Sequence, residues 1–200
     1  MTTRRRPSTS ASHPASAAQS LPALPRWKRA VLKVGSNLIA PEGHRLSTRH
    51  LLGIARFIAE ARAEGRELVL VSSGAVAAGR ALLGSQDTPS LPAKQALAAI
   101  GQPRMFEAWA RLLDVPCAQV LLAFDDLQNR RRFVNAKNTL RELLHAGVLP
   151  IINENDSVAV DELRLGDNDN LAAHVAVLVE ADLLLILSDI DGLFDADPRR

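Results

Sequence analysis

The sequence predicts an α/β domain on a mainly parallel sheet, because five short aliphatic, β-branched runs alternate with longer segments whose apolar residues recur at helical spacing. A further observation supports this class: polar clusters follow four of the five runs. The expected strands are residues 30–34, 67–72, 117–123, 148–153 and 183–188. Residues 48–64 and 93–113 have helical periodicity, and 134–146 ends at Gly147 as a glycine-capped helix does. Leu171 opens another helical stretch reaching Val179. Residues 158–165 alternate around an acidic turn and read as a small hairpin at the edge or mouth of the sheet.

With 200 residues, 47% of them apolar and 23% charged, the chain has material for one good core. Residues 27–200 are expected to form that domain. Residues 1–26, rich in Ser, Ala and Pro, cannot bury enough surface to offset the entropy of ordering and read as a disordered tail. Their Arg-rich, acid-free composition is shared with organellar transit peptides, but Pro22 and Pro25 and the lack of a clear amphipathic helix favour the simple tail.

The net charge of +2 is unevenly spread. Residues 1–29 hold six basic residues and no acid, which leaves 18 bases against 22 acids elsewhere, a net of −4. This weakens a nucleic-acid reading. No apolar run approaches the roughly 18 residues that span a bilayer, since Glu180 and Asp182 break the most apolar stretch. The single cysteine, Cys117, has no partner within the chain, which suits a reducing, cytoplasmic compartment.

In an open α/β sheet, ligands gather beyond the carboxyl ends of the strands. Lys33 stands near the end of the first run, where an unpaired ammonium would be costly to bury. An edge lysine whose stem reaches water is the ordinary alternative; Gly35, which lets a phosphate approach the backbone, tips the reading towards a phosphate ligand. Neither a Walker loop nor a G-x-G-x-x-G fingerprint occurs. Ser72-Ser73-Gly74-Ala75 leads from strand to helix and suits either a capped turn or an anion site. Asn153-Glu154-Asn155-Asp156 is an unusually dense polar run. Gly166-Asp167-Asn168-Asp169-Asn170 precedes a helix but lacks the ligand spacing of a calcium loop, so it reads as a clamp for a polar ligand. Asp189 and Asp191 could hold ribose or magnesium, or form an ordinary turn. His50, His145 and His174 have no ligand partners at useful spacing, and Asn129-Arg130-Arg131-Arg132 reads as a solvated helix face or a loop.

Taken in order, these motifs, with Val31-Leu32-Lys33-Val34-Gly35-Ser36 and Leu187-Ser188-Asp189-Ile190-Asp191-Gly192-Leu193, resemble those of the glutamate 5-kinases, a branch of the amino-acid kinase family. The resemblance runs from about Arg29 to the last residue. It implies a three-layer αβα sandwich and transfer of the γ-phosphoryl of ATP to the side-chain carboxylate of L-glutamate, the first step of proline synthesis. By the same resemblance, Lys33 is the catalytic lysine and Asp169 orders it. Ser73, Asp156 and Asn168 bind glutamate, Asp156 at its ammonium. Lys33, Gly35, Ser188 and Asp189 contact the nucleotide, and Mg2+ travels with ATP, held by phosphate oxygens and water without a protein metal cage. Feedback inhibition by proline and a homo-oligomer are implied too; nucleic acid and membrane partners are not expected.

The family's later glycine-rich segment with a second phosphate-binding lysine is absent from this sequence, as is the C-terminal PUA domain of many members. The sequence therefore reads as the glutamate-binding part and the start of the ATP-binding part of a kinase domain, incomplete at its C-terminus, and better suited to binding glutamate than to turning over ATP. Two other readings fit the residues: an acetylglutamate or aspartate kinase of the same fold, or a non-catalytic fragment that binds glutamate or proline.

Overall fold

The computed structural model describes residues 24–40, 47, 51–84, 90–159 and 168–188. Five parallel strands form one sheet in the order β3-β4-β2-β1-β5, with β1 at Arg29–Val34, β2 at Glu67–Ser72, β3 at Cys117–Leu122, β4 at Leu149–Glu154 and β5 at Leu183–Leu187. Seven helices accompany them among the described residues: α1 Ser36–Ile39, α2 Leu51–Ala63, α3 Ala75–Leu83, α4 Leu91–Leu112, α5 Phe124–Gln128, α6 Arg130–His145 and α7 Asn168–Leu178. The expected disordered tail falls mostly, and the hairpin all but its first two residues, outside the described residues.

The central strands are apolar on both faces because both are covered, as parallel sheets require. Ala30, Leu32 and Val34 join Leu68, Leu70, Leu149 and Ile151 on one face, packed against α2 and α4. Val31, Val69, Val71 and Ile152 occupy the other, against α6 and α7. Two cores flanking one sheet give three layers.

Every expected strand is present, with ends moved by a residue at most. Helix α6 begins four residues earlier than its apolar periodicity suggests. Asn129 caps it, its Oδ1 accepting from the backbone N–H of Arg131 and Arg132, so a polar first turn precedes the packed face. At the other end Gly147 adopts φ 70° and its N–H donates to Leu144 O, as expected of a glycine stop.

Helices α3 and α4 cross with backbones almost in contact. A Cβ on Gly101 would lie 1.9 Å from Ala75 O, and one on Gly79 would lie 2.1 Å from Leu97 O. Glycine is required at both positions, and the crossing fixes where the first turn of α3 sits. Trp109 of α4 ties the same region to the sheet, its Nε1 donating to Ser72 Oγ at 2.8 Å within the core.

The opposite end of the sheet is clamped by Asp182, whose Oδ2 accepts from Lys28 N at 2.8 Å and Arg29 N at 3.0 Å. These bonds, that to Arg29 foremost, hold the Asp182 carboxyl below its ordinary range. Cys117 is half-buried in β3, and burial pushes its thiol up, which disfavours the reactive thiolate. Among the described residues no helix is long and apolar enough to cross a membrane.

Candidate functional site

Strand alternation decides where Lys33 points. It shares the face of Val31, the side covered by α7, and is 4% exposed. Asp169 lies in the first turn of α7 and forms an ion pair with the Lys33 ammonium. The sequence expectation that a buried lysine needs an anion is met within the chain.

Gly35 follows immediately, with its N–H donating to Leu187 O at 3.2 Å. What Gly35 leaves open is therefore space rather than a free donor: a Cβ there would stand 3.6 Å from Lys33 Nζ. A side chain there would touch both the ammonium and the Leu187 carbonyl of β5.

Beyond β2, Ser73 N donates to Val34 O at 3.2 Å, which pins the strand-to-helix turn to the end of β1. Gly74 is the N-cap of α3 at φ 104°, a conformation that favours glycine, and no side chain caps the helix. The capped-turn reading of Ser72-Ser73 therefore gives way. Ser73 Oγ instead accepts from Asn168 Nδ2 at 2.5 Å.

Asn168 is the hub of a polar chain. Its Nδ2 also donates to Asn153 Oδ1 at 3.0 Å, while Asn153 Nδ2 donates to Gln102 Oε1 at 2.9 Å. Gln102 and Asn153 are buried, so each amide holds the next in a low-dielectric setting where a lost bond is costly. Four elements (the turn after β2, α4, β4 and α7) are thus joined by one polar chain through Asn153 and Asn168.

A cavity of about 370 Å³ opens beside this chain, lined by Ser73, Gly74, Asn153, Asp156 and Asn168 among others. The three residues expected to bind substrate, Ser73, Asp156 and Asn168, all face it. The uncapped start of α3 contributes Ala75, Val76 and Ala77, so the positive end of a nine-residue helix meets the cavity. Lys33 and Asp169 stand next to it through Asn168. Ser188 is exposed at the end of β5, outside the cavity lining and next to Leu187, whose carbonyl accepts from Gly35 N–H. Asp189 lies outside the described residues.

Sequence reasoning missed Gln102, Arg80 and Lys94. Gln102 left a faint signal, a lone amide on the buried stripe of α4 between Ala98 and Met105. Arg80 and Lys94, which line the far wall of the cavity, look in sequence like ordinary surface cations. Among the described residues no group of three or more His, Cys, Asp or Glu is placed to hold a metal ion.

Comparison with known proteins extends this picture. The family model described as the amino acid kinase family matches residues 28–200. The chain is 64% identical over 180 residues to the glutamate 5-kinase of Salinibacter ruber, covering 88% of this chain and 48% of that protein. It is 58% identical over 178 residues to the glutamate 5-kinase of Xylella fastidiosa strain M12, covering 88% and 46%. A third glutamate 5-kinase, from Xanthomonas euvesicatoria pv. vesicatoria, is 60% identical over 171 residues, covering 84% and 47%. The chain spans about half the length of these relatives. Among solved structures, the UMP kinase of Bacillus anthracis superposes with a TM-score of 0.54 at 16% identity, over 86% of this chain and 70% of that one, a likeness of fold alone. A sheet with covered faces, a lysine paired at the end of its first strand and a family match over nearly all of the described residues lead to one assignment: the chain belongs to the amino acid kinase family.

Proposed function

We propose that this chain forms the glutamate-binding part, and the beginning of the ATP-binding part, of an enzyme that transfers the γ-phosphoryl of ATP to the side-chain carboxylate of L-glutamate. One observation carries the reading: consecutive residues of α7 serve two neighbouring zones, Asn168 joining the cavity network at Ser73 and Asn153 while Asp169 pairs with Lys33. The name shared by the relatives favours glutamate over N-acetylglutamate or aspartate.

In this reading Ser73, Asn168 and the start of α3 hold the carboxylate that is phosphorylated, and Asp156 takes the ammonium. A side-chain carboxylate is already ionised at pH 7, so its attack needs no general base. Catalysis is then alignment of two anions and neutralisation of charge on the transferring group. Lys33 supplies that charge, and Asp169 keeps its ammonium aimed. The space at Gly35 admits a phosphate close to Lys33, with Ser188 and Asp189 contributing to the nucleotide site. Mg2+ arrives with ATP, held by phosphate oxygens and water. Residues 27–200 act as the kinase part and 1–26 as an appended tail in a cytoplasmic, homo-oligomeric enzyme subject to inhibition by proline.

Thermal denaturation with L-glutamate, N-acetylglutamate and L-aspartate tests the substrate. L-Glutamate at 100 times its Kd should stabilise the chain by about 2.7 kcal/mol, the other two far less, and Asp156→Ala should abolish the shift. Equal stabilisation by all three, or none in a chain that circular dichroism shows to be folded, would refute the assignment.

A further inference from the structure

Two side chains of opposite charge line the same cavity, Arg80 on α3 and Glu154 at the end of β4, and each has one atom, Arg80 Nε and Glu154 Oε1, shielded from solvent and without a hydrogen-bond partner. Neither residue forms an ion pair among the described residues, so they do not neutralise each other. Half-buried charges without an ion-pair partner are unfavourable, and a ligand that brings the complementary charges into the cavity offsets the cost. The missing partners are an anion for Arg80 and a cation for Glu154. Both belong to the amino-acid end of a zwitterion.

Helix geometry supports the placement. Arg80 is six residues beyond Gly74, about 9 Å along the axis, on the same face as Val76 and Ala77, which also line the cavity. Helical side chains lean towards the N-terminus, so the Arg80 guanidinium reaches back over the cavity from its far end. Lys94 of α4 adds a second cation to that wall. The near end, at Ser73 and Asn168, is next to Lys33.

We infer that Arg80 binds the α-carboxylate of the substrate, with Lys94 beside it, and that Glu154 shares the α-ammonium with Asp156. The inference rests on the glutamate reading above and deepens it. It makes Arg80 and Glu154 the residues that distinguish a free α-amino acid from ligands lacking one of its two head groups. An acylated nitrogen carries no positive charge and leaves the Glu154 carboxylate without a counter-charge.

Isothermal titration of the full chain with L-glutamate, 4-aminobutyrate, which lacks the α-carboxylate, and glutarate, which lacks the ammonium, separates the two roles. The unsubstituted chain should prefer L-glutamate over each by about 10- to 100-fold. Arg80→Gln should reduce the preference over 4-aminobutyrate to less than about threefold while keeping that over glutarate, and Glu154→Gln should do the reverse. Arg80→Lys, which preserves charge and packing, should retain an intermediate preference and serves if Arg80→Gln does not fold. Equal weakening of all three ligands by Arg80→Gln would mark a structural role and overturn the assignment. So would unchanged preferences in both variants while L-glutamate still binds, an outcome that leaves the glutamate reading standing. Failure of the unsubstituted chain to bind L-glutamate would overturn both.

Discussion

At the scale of single residues, Lys33 is the sharpest test of the mechanism. Its ammonium is buried, paired with Asp169, and lies beside Gly35. A charge used mainly on the transferring phosphoryl contributes more to the transition state than to substrate affinity. In a catalytically complete enzyme carrying this sequence, Lys33→Ala should lower kcat by about 100-fold or more and change glutamate Kd by less than about threefold, as steady-state kinetics and titration would read. A near-normal kcat would exclude the role. Lys33 was legible in the sequence because an ammonium in an aliphatic strand demands explanation. Glu154 was legible only as one member of a polar run and Arg80 not at all, since their lack of partners exists only once α3 and β4 are packed together.

At the scale of elements, the α3–α4 crossing and the Asp182 clamp give separate predictions. Adding a methyl at Gly101 drives it into Ala75 O, so Gly101→Ala should destabilise the fold by about 1–3 kcal/mol in urea denaturation. It should also weaken glutamate binding, because the displaced helix carries the cavity wall. Asp182 predicts a pH effect. Its folded-state pKa is depressed, so its stabilisation is complete above the ordinary aspartate value of about 3.9 and is lost as pH falls through the lower folded value. The stability difference between wild type and Asp182→Asn should be constant from about pH 5 to 8 and shrink below about pH 4. Elements with strong periodicity were readable in advance: all five strands, α2, α4 and the packed part of α6. Helices α1 and α5, of four and five residues, are too short to show a period, and the polar first turn of α6 hid its start.

At the scale of the whole molecule, the sequence implied strands with a polar rim but not their order. Placing β1 between β2 and β5, with β3 at an edge, depends on crossovers that only packing on both faces decides. That order brings α7 across the sheet from β4 to β5, with its first turn over Lys33 at the end of β1. A rigid rod then carries neighbouring residues with different correspondents: Asn168 answers to the cavity and Asp169 to the lysine. Under the proposed function, a ligand that fixes Asn168 fixes Asp169 as well, which links glutamate binding to nucleotide binding. Such linkage is reciprocal. Glutamate should tighten the binding of a non-hydrolysable ATP analogue in a complete enzyme by some factor, and the analogue should tighten glutamate by the same factor. Asn168→Ala, which cuts the rod's hold on the cavity, should bring that factor close to one in paired titrations. Unchanged reciprocity in the variant would show that the two ends of the rim communicate by another route.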